Sequence, residues 1–289
     1  EYYIGDRFTE GYGFNMGAIE FARKKGSKLI ITADIGVTAH AQCTLAKSLG
    51  IDVIVMDHHL PDGSDVPTDA FAVICPKGSS KGQYPNPNLA AVGVCLKLGE
   101  ALLARHPKYQ ELIQSLCKLA AIGTVADMVS MVDPENRAIV ATGIQELNRD
   151  CRNPGLKALI NAAQVTSSFI AFQIAPRINA AGRIEHANLV IELFSSRDPE
   201  KAKKLAETLD DLNTERKEKQ KRLTEHILAN LPSPLPSVIV IGGKEEDGFH
   251  KGVLGLAATR VTGETGRPSF IYTIKDLRMH RHHVLVKYD

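Results

Sequence analysis

The stretch KLIITADIGVTAHAQCTLAKSLGIDVIVMDHH, residues 28–59, decides the fold. Its first apolar run, 28–34, ends in Asp34, and its second, 52–57, ends in Asp57. Between them, residues 39–49 set Ala39, Cys43, Ala46 and Leu49 along one helical stripe, and Gly50 stops the helix. Strand, helix and strand in roughly thirty residues make a βαβ unit of a parallel sheet. Both strands are apolar throughout, as strands covered on both faces must be.

Outward from this unit, residues 60–88 are rich in Pro, Gly, Ser and Asp and read as loop with one short strand, 70–75. The spacing of apolar residues predicts helices over 89–104, 110–122, 135–149 and 154–164. Residues 199–230 predict a long charged helix. Leu205, Leu209 and Leu212 give it an apolar stripe, Asn213–Arg222 interrupt it, and Leu223, Ile227 and Leu231 resume it. Such an interrupted stripe predicts a helix that bridges two bodies. PSPLPS, 232–237, is a linker, 238–241 a strand opening a second domain, and 252–262 a helix. The fold class is α/β: a parallel-sheet domain over 1–198, a connecting helix over 199–231, and part of a smaller α/β domain over 232–289.

Composition narrows the function. Of 289 residues, 44% are hydrophobic and 24% charged, with a formal net charge of +2. That excludes a strongly basic nucleic-acid binder, so any contact with nucleic acid must use a local patch or metal ions. The five cysteines are odd in number and form no C-x-x-C pair, which argues against a disulfide framework or a structural zinc site. They read as small buried residues in a reducing, cytoplasmic protein. No apolar run reaches the length of a membrane span. The opening Glu1-Tyr2-Tyr3-Ile4 carries no leader and reads as the middle of a protein.

Asp34 and Asp57 end successive strands, and the C-terminal edge of a parallel sheet is where open α/β folds place ligands. Neighbouring strands lie about 4.8 Å apart, so the two carboxylates can face one site. Asp57-His58-His59 adds two imidazoles in one loop, an O and N ligand mixture suited to Mn²⁺, Mg²⁺ or Zn²⁺. A strand-end Asp alone is more often a turn former, and a His pair alone a surface feature. The two together favour a metal site for phosphodiester hydrolysis. Asp127, in IGTVADMV, reads by itself as a loop-capping residue. In APRINAAGRI, 175–184, Arg177, Asn179 and Arg183 suit phosphate binding, although pattern alone slightly favours a helix start with surface arginines. His250 and Lys251, in GFHKGVLGLAA, precede a helix whose amides can hold an anion, a weak signal alone.

At these residues the sequence resembles the DHH phosphoesterase superfamily, and within it the RecJ family, from Tyr2 to about Ile271. YYIGDRFTEGYGFN, with Arg7, Gly11, Tyr12 and Gly13, resembles the segment after the family's first motif. ITADIGVTAH resembles the second motif, MDHHLP the third and IGTVADMV the fourth. PRINAAGRI is similar to a RecJ segment, DLNTERK to the connecting helix, and FHKGVLGLAATRV to the start of the substrate-gripping DHHA1-like domain.

The resemblance implies a two-metal exonuclease that degrades single-stranded DNA 5′ to 3′ in recombination and repair, using Mn²⁺ or Mg²⁺. Asp34 would bridge the metals, and His58 and Asp127 would complete one shell. His59 would contact the scissile phosphate, and Asp57 would orient the imidazoles. Arg177, Asn179, Arg183 and His250 would hold DNA phosphates. Helicase and single-strand-binding protein are the implied partners, and no membrane is implied. The alternatives are a small DHH phosphoesterase acting on oligonucleotides or cyclic dinucleotides, and an inactive DNA-binding scaffold. The family's D-x-D first motif and the Ser/Arg-containing strand of its second domain have no match here. DLRMHRHHVLVKYD, with His280, His282 and His283, resembles nothing in the family and reads as a foreign or unstructured tail. The chain is therefore expected to be a fragment with weak activity or none.

Overall fold

The computed structural model describes residues 1–274 except 7–8, 62, 64 and 79–83. Arg7 of the opening motif and the His280, His282 and His283 tail lie outside the described residues. The chain divides into two compact units, Glu1–Ala175 and Pro176–Asp289.

In the first unit, β1 (Leu29–Ala33), β2 (Asp52–Met56) and β3 (Ala72–Ile74) form a parallel sheet in the order β1-β2-β3. Ala33 pairs with Met56 at the sheet's C-terminal end. The ladder runs on past the strands, because Asp34 N–H donates to Met56 O (2.9 Å) and Asp57 N–H to Ile74 O (3.1 Å). The period of two in β2 sends Val53 and Val55 to one face and Ile54 and Met56 to the other. Val53 and Val55 pack with Ile19 and Ala22 of α1 (Met16–Lys24) and Cys43 and Ala46 of α2 (His40–Ser48). Met56 packs with residues of α3 (Ala91–Leu103), α4 (Tyr109–Ala126) and α5 (Pro134–Arg149). β2 is thus covered on both faces, whereas β1, expected to be equally buried, leaves Leu29 and Ile31 exposed on one face. Leu49 departs from its expected place on the α2 stripe: it follows the last helical turn and is exposed.

Helices α4 and α5 touch through Gly143, where an added methyl would run into the Cys117 carbonyl and the Ala121 methyl. Gly143→Ala is expected to destabilise the first unit by ~2 kcal/mol, read by denaturant unfolding, since neither backbone can withdraw without opening the core. An unchanged midpoint would show that the helices part more easily than this packing implies. The helix expected over 154–164 is shorter, α6 (Pro154–Leu159). Pro154 starts it at N1, the Asn153 side chain caps it, and Ile160 turns extended. Residues 167–174, for which apolar periodicity gave no helix, hold α7 (Ser167–Phe169) and a π-helical turn (Ile170–Ile174), and α8 (Ala175–Ile184) lies where the pattern of APRINAAGRI favoured a helix start.

The second unit contains α9 (Asn188–Ser195), α10 (Pro199–Ala229), β4 (Ile239–Lys244), α11 (Leu254–Thr265) and β5 (Ser269–Ile274), with β4 and β5 parallel. Leu223 and Ile227 of α10 pack with Ile239, Val253, Leu254, Ala257 and Ile271. The division after Ala175 falls earlier than the expected boundary at 198, and α10 groups with this unit, in contact with α9 and α11. No described helix is long and apolar enough to cross a membrane. Cys43, Cys75 and Cys117 are buried, Cys95 and Cys151 partly so, and none is in a disulfide.

Candidate metal centre

The sheet's C-terminal edge carries the site. Asp34 leaves β1 with φ 67°, a left-handed conformation that an aspartate tolerates better than most residues. Gly36 then turns the chain back with φ 113°, where any side chain would press on Thr32 and Val55. The return brings Val37 N–H to Asp57 Oδ2 at 2.9 Å.

Asp57 is 1% exposed and is the hub of the loop. Its Oδ1 accepts from His58 N–H (2.8 Å) and His59 N–H (3.2 Å) and meets His59 Nδ1 at 2.7 Å. Burial alone would raise this carboxyl's pKa; the hydrogen bonds from Val37, His59 and His58 outweigh it and hold the group below the ordinary aspartate range. With Nδ1 engaged by the carboxylate, His59 presents Nε2 to a partner. Cys75 Sγ donates to His59 O at 3.4 Å from the other side.

His58 Nε2 is where the site converges. It lies 3.2 Å from Asp34 Oδ1 and 3.5 Å from Asp127 Oδ2, although the three residues come from β1, β2 and the end of α4. Asp34, His58 and His59 also bring ligand atoms within 4.8 Å of one another. Asp34's hydrogen bond raises the His58 pKa against the effect of burial. Burial raises that of Asp127, with the neighbouring His58 opposing and the Asp34 charge adding to it. Lys77 is a cation near enough to act on both His58 and Asp127.

These distances test whether a metal fits. Charge-assisted N–H···O bonds run about 2.7–2.9 Å, and one Nε2–H cannot serve two carboxylates well. The observed contacts are longer than that. Ligands around a six-coordinate ion with ~2.1 Å bonds lie ~3.0 Å apart, and around a four-coordinate one ~3.4 Å. The 3.2 and 3.5 Å spacings from His58 Nε2 are those of ligands around a divalent ion, but among the described residues the group whose ligand atoms all lie within 4.8 Å of one another is Asp34, His58 and His59, with Asp127 outside it.

The second unit holds the expected phosphate-binding residues. Arg183 Nη1 donates to Gly252 O at 3.4 Å, and Gly252 N–H donates to His250 Nδ1 at 3.1 Å, so Arg183 and His250 meet at one glycine. Gly252 has no room for a side chain, because the Arg183 carbonyl lies against it. Burial lowers the His250 pKa. Asn179 is exposed. Arg177 is not the surface arginine that pattern favoured: it is 7% exposed, with its guanidinium paired to Asp210 of α10.

The model of the DHH family, N-terminal domain, matches residues 1–124. The single-stranded-DNA-specific exonuclease RecJ of Bacillus subtilis is 38% identical over 282 residues, covering 96% of this chain and 34% of the relative. A crystal structure of exonuclease RecJ bound to manganese superposes with a TM-score of 0.76 at 30% identity, covering 94% of this chain and 67% of that one. The chain belongs to the RecJ family. The RecJ of Escherichia coli is 33% identical over 288 residues, covering 93% of this chain and 49% of the relative. RecJ from Thermus thermophilus in complex with Mn²⁺ gives a TM-score of 0.72 at 30% identity, with 88% and 38% covered. The chain spans between 34% and 49% of the length of the curated relatives it matches.

Besides Lys77, reading the sequence missed the Val37 amide, the Cys75 thiol and the Asp210 partner of Arg177. Val37 had a trace in Gly36, whose position two residues after Asp34 marks a turn. Cys75 and Asp210 carry no local signal.

Proposed function

We propose that the chain is the catalytic core of a metal-dependent exonuclease that hydrolyses single-stranded DNA from the 5′ end. The observation that carries this is the convergence of Asp34 and Asp127 on His58 Nε2 at the edge of the sheet. Asp34, His58 and Asp127 would hold Mn²⁺ or Mg²⁺, with Asp34 also able to bridge to a second ion. The ion supplies Lewis-acid polarisation of the phosphoryl oxygens and neutralises charge that develops on them.

The protein's own groups do the rest. Asp57 fixes the His59 ring through Nδ1, so that Nε2 can donate to a phosphate oxygen. Lys77 adds positive charge beside the carboxylates. Asn179, Arg183 and His250 are the groups of the second unit offered to backbone phosphates, a contact that does not read sequence. Arg177, held by Asp210, acts in this reading by shaping α8 against α10. The proposed substrate is single-stranded DNA, supported by the names of the relatives; the 5′ to 3′ direction, the setting in repair and recombination, and the helicase and single-strand-binding partners are carried over from the resemblance as part of the same proposal.

The test is mononucleotide release from 5′-phosphorylated single-stranded DNA in Mn²⁺, beside dinucleotides and with Asp34→Ala as control. Release from the long strand that disappears in the variant is expected. Preference for dinucleotides, or release unchanged by the substitution, would overturn the reading.

A further inference from the structure

We infer that Asn136 and Arg137, neighbours near the start of α5, are positioning residues for the Asp127 carboxylate. The inference rests on the metal reading above and assigns the part of the fold that fixes one ligand.

α4 holds Asp127 from one side only. Asp127 N–H donates to Gly123 O at 2.9 Å and Met128 N–H to Val125 O at 3.3 Å. The helix stops there because Met128 turns left-handed, φ 56°, a conformation that a long side chain without its own polar compensation rarely adopts. Residues 129–132 are neither helix nor strand, and side chains take the carbonyls of Ser130, Met131 and Val132. Asn136 Nδ2 donates to Ser130 O at 2.8 Å and to Asn88 O at 2.9 Å. Arg137 Nη1 donates to Met131 O at 2.8 Å and Val132 O at 2.6 Å. Asn136 is 0% exposed, and its Oδ1 accepts from Asn86 Nδ2 at 3.0 Å. The carbonyls of Ser130, Met131 and Val132 are thereby pinned to α5, directly after the ligand.

A segment pinned at both ends cannot let Met128 leave the left-handed region. Once it is released, Met128 relaxes, the peptide after Asp127 rotates, and the carboxylate drifts from its place 3.5 Å from His58 Nε2. A merely structural staple would show only as lost stability. Asn148 supplies the comparison: it sits on the same helix, donates to Val165 O at 2.9 Å and accepts from Val165 N–H at 2.8 Å. The loop it holds carries no site residue.

The experiment measures Mn²⁺ affinity by calorimetry, together with the thermal midpoint, for the wild type, Asn136→Ala, Arg137→Ala, Arg137→Lys and Asn148→Ala. Arg137 is exposed, so its variants test the inference even where Asn136→Ala folds poorly. Asn136→Ala and Arg137→Ala are expected to weaken Mn²⁺ binding about 10–100-fold, as losses just outside a ligand shell do. Arg137→Lys, which keeps N–H donors, recovers much of it, and Asn148→Ala loses stability without losing affinity. Unchanged affinity in Arg137→Ala, or an equal loss in Asn148→Ala, overturns the positioning role. A wild type that binds no Mn²⁺ fails differently: it overturns the metal reading, and this inference with it.

Discussion

Asp34→Gly is expected to abolish Mn²⁺-dependent hydrolysis, by ~10³-fold or more, while leaving the fold as stable as before within ~1 kcal/mol. The side chain is 55% exposed, so little packing is lost with it. The backbone at Asp34 sits at φ 67°, where glycine carries no steric penalty and any other residue does. Relief of that strain offsets the entropy glycine costs in the unfolded chain. The loss to function is large because His58 Nε2 then faces one carboxylate in place of two. Nuclease rate and denaturant midpoint on the same preparation check this. Retained activity would remove Asp34 from the site, and a loss of several kcal/mol would show that the residue is kept for the fold.

Asp57 behaves in the opposite way, and Asp57→Ala is expected to cost both stability and activity. Its carboxylate is buried and accepts from the N–H groups of Val37, His58 and His59 and from the His59 ring. Each buried donor left without a partner costs ~1–3 kcal/mol, which puts the substitution at roughly 3–5 kcal/mol after partial relaxation. The His59 ring loses its orienting partner in the same step. The sign with pH follows from the lowered pKa of Asp57 in the folded state. Its contribution is full above the unfolded carboxylate pKa of ~3.9 and is lost as the pH falls through the lower folded value. The stability gap between wild type and variant is therefore widest near neutral pH and narrows in acid. A gap that does not depend on pH would mean that the stabilisation is not made by the ionised carboxylate.

The parts of the fold legible in the sequence are those where apolar periodicity and strand ends coincide. Val53 and Val55 on one face of β2 and Met56 on the other follow from a period of two, and Asp34 and Asp57 follow as the ends of apolar strands, although only β2 is buried on both faces. Asp127 looked like a loop cap and is indeed the residue closing α4. Only the fold shows that it faces a histidine 69 positions earlier in the chain. Arg177 and Asn136 were misjudged or missed for a shared reason. Both are polar and buried, and each is satisfied by a partner far off in sequence: Asp210 for Arg177, Asn86 and Asn88 for Asn136. Periodicity reports where apolar surface is hidden, and it says nothing about polar groups paired across the fold. Of residues 167–184 only the helix start in APRINAAGRI was legible, because small residues and arginines interrupt the apolar stripe that would have marked the rest.

The most direct test of the metal centre is an anomalous difference map, recorded above the manganese absorption edge, from crystals of the chain equilibrated with Mn²⁺. The account predicts a peak bonded at ~2.1–2.3 Å to His58 Nε2, an Asp34 oxygen and an Asp127 oxygen. A peak elsewhere, or a His58 that stays hydrogen-bonded to Asp34 at saturating Mn²⁺, would contradict it.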